Sequence, residues 1–154
     1  MNMDIMEWRK DGFLISTDKS KIDIVAVHGF LTQSYWAEGI PVDVLRRGIE
    51  NSLCFAIYHE ELLIGFARVI TDFATFAYLA DVFILPAERG KGLSKWLLTV
   101  ILDHPQLQGL RRFTLATKDA HGLYARFGFT PFDKPERWMQ KHNPDVYKSG
   151  RDRE

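Results

Sequence analysis

The chain has 154 residues, of which 46% are hydrophobic and 26% are charged, and its 20 Lys and Arg residues balance its 20 Asp and Glu residues. This length suits one domain with a single core, and a formal net charge of zero argues against nucleic acid or an anionic membrane as the main partner. No apolar run reaches the ~20 residues of a membrane span, and acidic residues stand where a secretory signal would be basic, so we expect a cytoplasmic protein.

The cysteine and histidine content excludes several kinds of site. Cys54 is the one cysteine, so no internal disulfide can form, and its strand-like apolar surroundings predict a buried, inert thiol. The five histidines show no paired metal spacing such as His-x-x-x-His. We therefore expect no metal.

The N-terminal part of the chain predicts one strand and two helices. Residues 13–17 form the first predicted strand, and Asp18 or Ser20 offers a cap for a helix that continues to Phe30. Pro41 opens a second helix at a position where proline is tolerated.

The segment between these helices, residues 31–41, is rich in polar and aromatic residues. Tyr35 and Trp36 could cover an organic substrate, and Glu38 could attract an amine. Alternatively, both aromatic side chains fold back onto the core.

Three consecutive antiparallel strands are predicted next, at 53–58, 62–70 and 76–85, with the first two joined as a hairpin by 59–61. A strand at 112–117 would complete a parallel strand–helix–strand crossover, in which ligands bind beyond the carboxyl ends of the strands.

The C-terminal part predicts a last helix and two short strands. Thr117 or Asp119 could cap the helix, which ends at Gly128. The strands are predicted at 129–132 and 137–139. We expect one domain over residues 1–147 and a polar, disordered tail over 148–154.

The stretch around which the chain is organised spans residues 81–98: an apolar strand, a basic loop and an amphipathic helix. Gly90 and Gly92 let a ligand lie directly against the backbone amides, and the first turn of the helix presents unpaired N–H groups and partial positive charge. Arg89 and Lys91 add full charges. The pattern predicts a phosphate site, although a plain strand-to-helix turn with two solvated cations has the same composition.

This loop fits neither a Walker A loop nor the dinucleotide fingerprint. It resembles the signature of the GNAT superfamily of N-acetyltransferases, Gln/Arg-x-x-Gly-x-Gly/Ala, with Arg89, Gly92 and Ser94 at the three defined positions. Ser94 replaces the usual Gly or Ala. The run Leu-Tyr-Ala-Arg-Phe-Gly-Phe at 123–129 matches the Leu-Tyr-x-x-x-Gly-Phe of the family's last helix. The resemblance covers the second half of the chain well and the first half in outline.

The resemblance implies an α+β (α/β) fold with a mixed, mostly antiparallel twisted sheet of six to seven strands and about four helices. It also implies acetyl-coenzyme A as co-substrate. Carried over by position, the backbone of Val82, Phe83 and Ile84 would pair with pantetheine. The pyrophosphate would lie on the loop and first helical turn, namely Arg89, Gly90, Lys91, Gly92, Leu93, Ser94 and Lys95. Thr117 stands where many relatives place an Asn that contacts the cofactor.

The same resemblance suggests which residues act in the reaction. Tyr124 matches the tyrosine that often protonates the leaving coenzyme A thiolate, although a tyrosine packed on the core would leave the same pattern. Asp81 lies in an otherwise apolar run, where a carboxylate must be paired, hydrogen-bonded or functional. It is our candidate for contacting the substrate amine. Polyamine acetyltransferases have a Glu where this chain has Ala80, which argues against a polyamine.

Three functions from different classes remain open. The first is an acetyl-coenzyme A dependent N-acetyltransferase that acts by direct attack on a small molecule or peptide, as a monomer or homodimer. The second is a non-catalytic acyl-coenzyme A binding or sensing module. The third is a nucleotide or phosphate binding protein of unrelated type.

Overall fold

The structure of the protein is a computed structural model that describes residues 4–149. Six strands form one sheet in chain order: Glu7–Lys10 (β1), Phe13–Ser16 (β2), Leu53–His59 (β3), Leu62–Thr71 (β4), Phe76–Ile84 (β5) and Arg112–Leu115 (β6). Neighbouring strands are antiparallel except β5 and β6, which are parallel. The predicted mixed, mostly antiparallel sheet is confirmed.

The described part of the chain also contains five α-helices, one more than about four predicted: Ile24–Leu31 (α1), Val42–Glu50 (α2), Leu93–Asp103 (α3), His121–Ala125 (α4) and Val146–Ser149 (α5). None of these described helices is both long and apolar enough to cross a membrane.

Helices cover both faces of the sheet. Because successive side chains of a strand point to opposite faces, the strand β3 contributes Phe55 to one core cluster and Cys54 to the other. The first cluster includes Leu97 of α3, and the second includes Leu31 of α1 and Leu45 of α2. The central strands are therefore fixed from both sides.

The N-terminal elements differ in detail from the prediction. The strand β1 was missed because its sequence, Glu-Trp-Arg-Lys, lacks an apolar alternation. The predicted caps Asp18 and Ser20 do not begin α1. Asp23 is the N-cap of α1 instead, and its carboxylate accepts a hydrogen bond from the Ala26 N–H at 3.2 Å. Asp18 caps a short 3-10 helix.

The predicted C-terminal strand pair is wrong. Residues 129–132 and 137–139 form no strand, and Pro135–Arg137 is a 3-10 helix. Pro131 and Pro135 both lack the N–H that a ladder requires, and the Phe132 ring instead stacks on Trp138 at 4.1 Å. Of the predicted tail, residues 150–154 lie outside the described residues, while residues 148 and 149 end α5.

Candidate active site

A gap opens in the sheet between the carboxyl ends of β5 and β6. Pairing of the two strands ends at Leu79 and Leu115, whereas β5 continues to Ile84. A register shift between β4 and β5 lies at the same level, and Asp81 there takes a positive φ of 56°. Residues 82–84 therefore present backbone groups without a partner strand on this side of the described sheet, at the place where parallel crossovers bind ligands.

The glycine loop borders this gap. Gly90 and Gly92 have φ of 83° and 77°, and a Cβ on either would meet nothing within 4 Å. Gly92 is the N-cap of α3, and no described side chain caps that end. A pocket of about 320 Å³ lies against the loop, lined by Ile84, Glu88, Arg89, Gly90, Gly92, Leu93, Ser94, Lys95 and Leu123. The loop is therefore open to a ligand that needs N–H donors.

The two cations predicted to serve this loop are partly engaged by the protein itself. Arg89 donates Nε–H to the Ile84 carbonyl at 3.0 Å. The Lys91 ammonium lies 2.7 Å from a Glu88 carboxylate oxygen, and that hydrogen bond is the main cause that lowers the pKa of Glu88. Lys91 does not line the pocket, whereas Lys95 does. Sequence reasoning missed Glu88, although its place three residues before Lys91 could have indicated the pair.

Tyr124 lies on α4 beside this pocket. Its neighbour Leu123 lines the loop pocket, while Tyr124 itself lines a larger cavity of about 750 Å³ with Thr117 and His121. Tyr124 is 9% exposed, and burial raises its pKa, with the phenol of Tyr35 adding to the shift. The hydroxyl therefore stays protonated at neutral pH, as a proton donor must.

The Thr117 side chain makes a hydrogen bond to the backbone nearby in sequence. Its Oγ1 accepts a hydrogen bond from the Ala120 N–H at 3.0 Å. Ala120 is the N-cap of α4 and no described side chain caps that helix, so the predicted caps Thr117 and Asp119 are both wrong. The Thr117 hydroxyl retains a proton that it can donate.

Asp81 is paired rather than free. One carboxylate oxygen accepts from Arg68 Nε at 2.9 Å and the other from the Trp36 indole N–H at 2.9 Å. Arg68 is anchored in turn by Ser52 Oγ at 3.0 Å. Sequence reasoning missed Arg68, although it is the one charged residue in the β4 run and the argument that selected Asp81 applies to it equally.

The loop 32–40 carries two aromatic side chains, and one of them, Trp36, is hydrogen-bonded to Asp81. Tyr35 is 65% exposed and Trp36 43%, so neither folds fully onto the core. The Tyr35 ring meets Trp36 edge-on at 5.1 Å, and the Lys118 ammonium lies 5.3 Å from the Tyr35 ring. Glu38 is exposed on this loop.

Other chemistry has little support in the described residues. Cys54 is buried, and burial raises the pKa of its thiol to about 12, so it is a poor nucleophile. Residues 4–149 hold no group of three or more His, Cys, Asp or Glu side chains suited to a metal ion.

Known proteins share the sequence pattern of this chain. The model of the acetyltransferase (GNAT) family matches residues 6–129. FG08082 of Gibberella zeae, named as a candidate acetyltransferase, is 31% identical over 142 residues, which cover 77% of this chain and 79% of that protein.

Solved structures give the same result. The crystal structure of a candidate GNAT acetyltransferase from Xanthomonas campestris pv. campestris is 51% identical, with a TM-score of 0.86 over 88% of this chain and 96% of the other. An acetyltransferase of Clostridium acetobutylicum, solved with acetyl-CoA, shares the fold at 13% identity, with a TM-score of 0.62 over 84% of this chain and 94% of that one.

Proposed function

The chain belongs to the acetyltransferase (GNAT) family, and we propose that it transfers the acetyl group of acetyl-coenzyme A to the nitrogen of a primary amine. The observation that supports this most is the open glycine loop at the uncapped N-terminus of α3, beside the stretch of β5 that has no partner strand on the β6 side. The phenol of Tyr124 and the paired carboxylate of Asp81 are the reactive groups that we assign to this site.

The loop and the free edge of β5 fit the shape of the co-substrate. Residues 82–84 offer backbone groups for an extended amide-containing arm, and the first turn of α3 offers N–H groups for a pyrophosphate. Gly90 and Gly92 leave the space that the phosphates need. Lys95 and the guanidinium of Arg89 add positive charge beside them.

Tyr124 is the proposed general acid. The amine nitrogen forms a bond to the acetyl carbon, the carbon–sulfur bond breaks, and the phenol gives its proton to the departing sulfur. Its raised pKa keeps that proton in place at neutral pH, before the thiolate develops. Because a thiol is ordinarily more acidic than a phenol, the proton transfer must be coupled to cleavage of the carbon–sulfur bond.

Asp81 is the proposed partner of the amine. Arg68 balances its charge inside a site that excludes most solvent, since the two side chains are 8% and 19% exposed. The carboxylate oxygens have lone pairs beyond those that accept from Arg68 and Trp36. Asp81 can therefore orient the incoming nitrogen and accept its surplus proton, directly or through water. Thr117 and Glu38 would contact the co-substrate and the acceptor respectively.

Calorimetry and a thiol-release assay test this function. Acetyl-coenzyme A should bind, ATP should bind much more weakly, and free coenzyme A should appear when a suitable primary amine is added. Equal affinity for ATP would contradict the assignment of the loop to coenzyme A.

The second candidate is a non-catalytic acyl-coenzyme A binding module, which is favoured by the two hydrogen bonds already made to Asp81. Tight binding of acetyl-coenzyme A without thiol release from any amine of a broad panel would support it over the transferase.

A further inference from the structure

Four aromatic side chains form a row from the sheet to the surface. Phe30 of α1 stacks on Phe83 of β5, with ring centroids 4.1 Å apart and planes 12° apart. Trp36 lies 6.4 Å from Phe30, and Tyr35 lies 5.1 Å from Trp36. The outer two rings stay exposed, with Tyr35 65% and Trp36 43% accessible to solvent.

The loop that holds the outer rings is fixed by its own hydrogen bonds. Ser34 Oγ donates to the Leu31 carbonyl at 2.7 Å and accepts from the Ala37 N–H at 3.1 Å. The Gly39 N–H donates to the Thr32 carbonyl at 2.9 Å. The row is therefore formed before any acceptor binds, so little conformational entropy is lost on binding.

The row reaches the carboxylate of Asp81. Trp36 is hydrogen-bonded to Asp81 at 2.9 Å, and the Tyr35 phenol contributes to the raised pKa of Tyr124. A ring that packs on Tyr35 and Trp36 would thus place an attached amine close to Asp81.

The charges near the row give no surplus of carboxylates that would hold several ammonium groups. Asp81 already has Arg68 as its counter-ion, and the Lys118 ammonium lies over Tyr35 at the outer end. Glu38 is a second carboxylate on the loop, so these four charges sum to zero. A polyamine would bring its distal ammonium groups towards Lys118 without a surplus of carboxylates to receive them.

We propose, on the premise of the transferase function above, that the acceptor is a primary monoamine with an aromatic ring a few bonds from its nitrogen. The ring packs against Tyr35 and Trp36, and its amine meets Asp81. The row thereby acts as the specificity-determining surface of the acceptor site.

Four amines test this proposal in the thiol-release assay: 2-phenylethylamine, n-butylamine, spermidine and phenylalanine. Burial of an aromatic group contributes about 1.5–3 kcal/mol, so kcat/KM for 2-phenylethylamine should exceed that for n-butylamine by about 10-fold or more. Spermidine should be no better than n-butylamine. Comparable values for 2-phenylethylamine and n-butylamine, or a preference for spermidine, would overturn the proposal. Phenylalanine has the same ring and amine with a carboxylate added, so a preference for it over n-butylamine would also support the aromatic acceptor and would show that Lys118 recognises a carboxylate.

Substitutions in the protein provide a second test of the acceptor class. Tyr35→Ala removes an exposed ring, so the fold should survive, and KM for 2-phenylethylamine should rise by about 10-fold more than KM for n-butylamine. Val25→Ala removes another exposed apolar side chain, on α1, and is the matched control. An equal loss for both amines in Tyr35→Ala contradicts the proposal.

Different results refute the acceptor class and the transferase function. Turnover of n-butylamine without preference for the aromatic amine refutes only the acceptor class. If acetyl-coenzyme A binds and none of these amines or a broader panel releases thiol, the transferase function fails and the acceptor class fails with it.

Discussion

Trp36 donates its indole N–H to a carboxylate oxygen of Asp81 at 2.9 Å, although 45 residues separate them in the chain. The bond joins the loop between α1 and α2 to the point where β5 leaves its regular register. It thus couples the position of the exposed aromatic rings to the orientation of the carboxylate proposed to meet the amine.

The first prediction concerns this bond. Trp36→Phe keeps a ring but removes the donor, so the Asp81 carboxylate loses one of its two fixed partners. We expect KM for the acceptor to rise by about 3- to 10-fold, the equivalent of one hydrogen bond of about 1 kcal/mol, with unchanged affinity for acetyl-coenzyme A. Steady-state kinetics with calorimetry would measure both. Trp138→Phe, another exposed tryptophan, is the control, and identical kinetics for the two variants would show that the bond has no role.

The second prediction concerns the ion pair of Arg68 and Asp81. Arg68→Met leaves a carboxylate that is 8% exposed without its counter-ion, which costs about 3–5 kcal/mol in the free energy of unfolding. Asp81→Asn in the same chain should recover part of that loss, because no unpaired charge remains. Urea unfolding of both single variants and the double variant gives the coupling energy. Strict additivity would contradict a stabilising pair.

The third prediction tests whether a side chain at Gly92 abolishes binding by blocking the glycine loop or by straining the backbone. Gly92→Val places a branched side chain in the open space at the N-terminus of α3 and should abolish acetyl-coenzyme A binding. Gly12→Val is the matched control, since Gly12 also has positive φ, at 85°, and also faces open space, but lies in the turn between β1 and β2. Both variants should lose similar stability by thermal unfolding. If calorimetry showed unchanged affinity in Gly92→Val, the assignment of the loop would be wrong.

The fourth prediction is a dependence of stability on pH. His104 is 2% exposed, burial lowers its pKa, and its Nε2 has no hydrogen-bond partner within the described residues. The unfolded chain therefore takes up a proton near pH 6.5 while the folded chain resists it, so stability falls as the pH drops below about 6.5.

Urea unfolding at pH 7.5 and pH 5 measures this fall. His104→Asn retains an acceptor near the position of Nδ1, which binds the Gln106 N–H at 3.1 Å, and should reduce the difference between the two pH values. His142→Gln, at an exposed position, should retain it. A fall of equal size in His104→Asn would assign the effect to other groups.

The central part of the fold was predictable because local signals agreed there. Pro86, Gly90 and Gly92 mark the end of β5 and the start of α3, and the apolar runs on either side have the strand and helix periods. The hairpin between β3 and β4 was equally clear, and its turn residues Glu60 and Glu61 both have positive φ. Each of these features depends on neighbours in sequence.

The features that could not be predicted depend on distant contacts. Arg68 meets Asp81 and Ser52 only when β4, β5 and the end of α2 are assembled. In the C-terminal segment, the apolar residues Phe132 and Trp138 suggested strands, but the rings stack on each other and Arg112 lies 5.0 Å from the Trp138 ring. A sequence pattern indicates that such residues pack against other side chains, but it does not identify those side chains.

The central claim is that Tyr124 gives its proton to the departing thiolate, and one substitution tests it most directly. Tyr124→Phe leaves the ring packed against Phe129, at 5.9 Å, and removes only the hydroxyl. Tyr58→Phe, which removes a buried phenol that donates to the Lys21 carbonyl at 2.9 Å, is the control for lost stability.

The measurement is kcat for acetyl transfer to the best amine of the panel, with affinity for acetyl-coenzyme A determined in parallel. We expect Tyr124→Phe to lower kcat by about 10² to 10⁴, the range for loss of a general acid, while affinity for acetyl-coenzyme A stays within about twofold of the parent and Tyr58→Phe turns over normally. If Tyr124→Phe turns over as fast as the parent, the proton comes from another donor and the proposed mechanism is wrong.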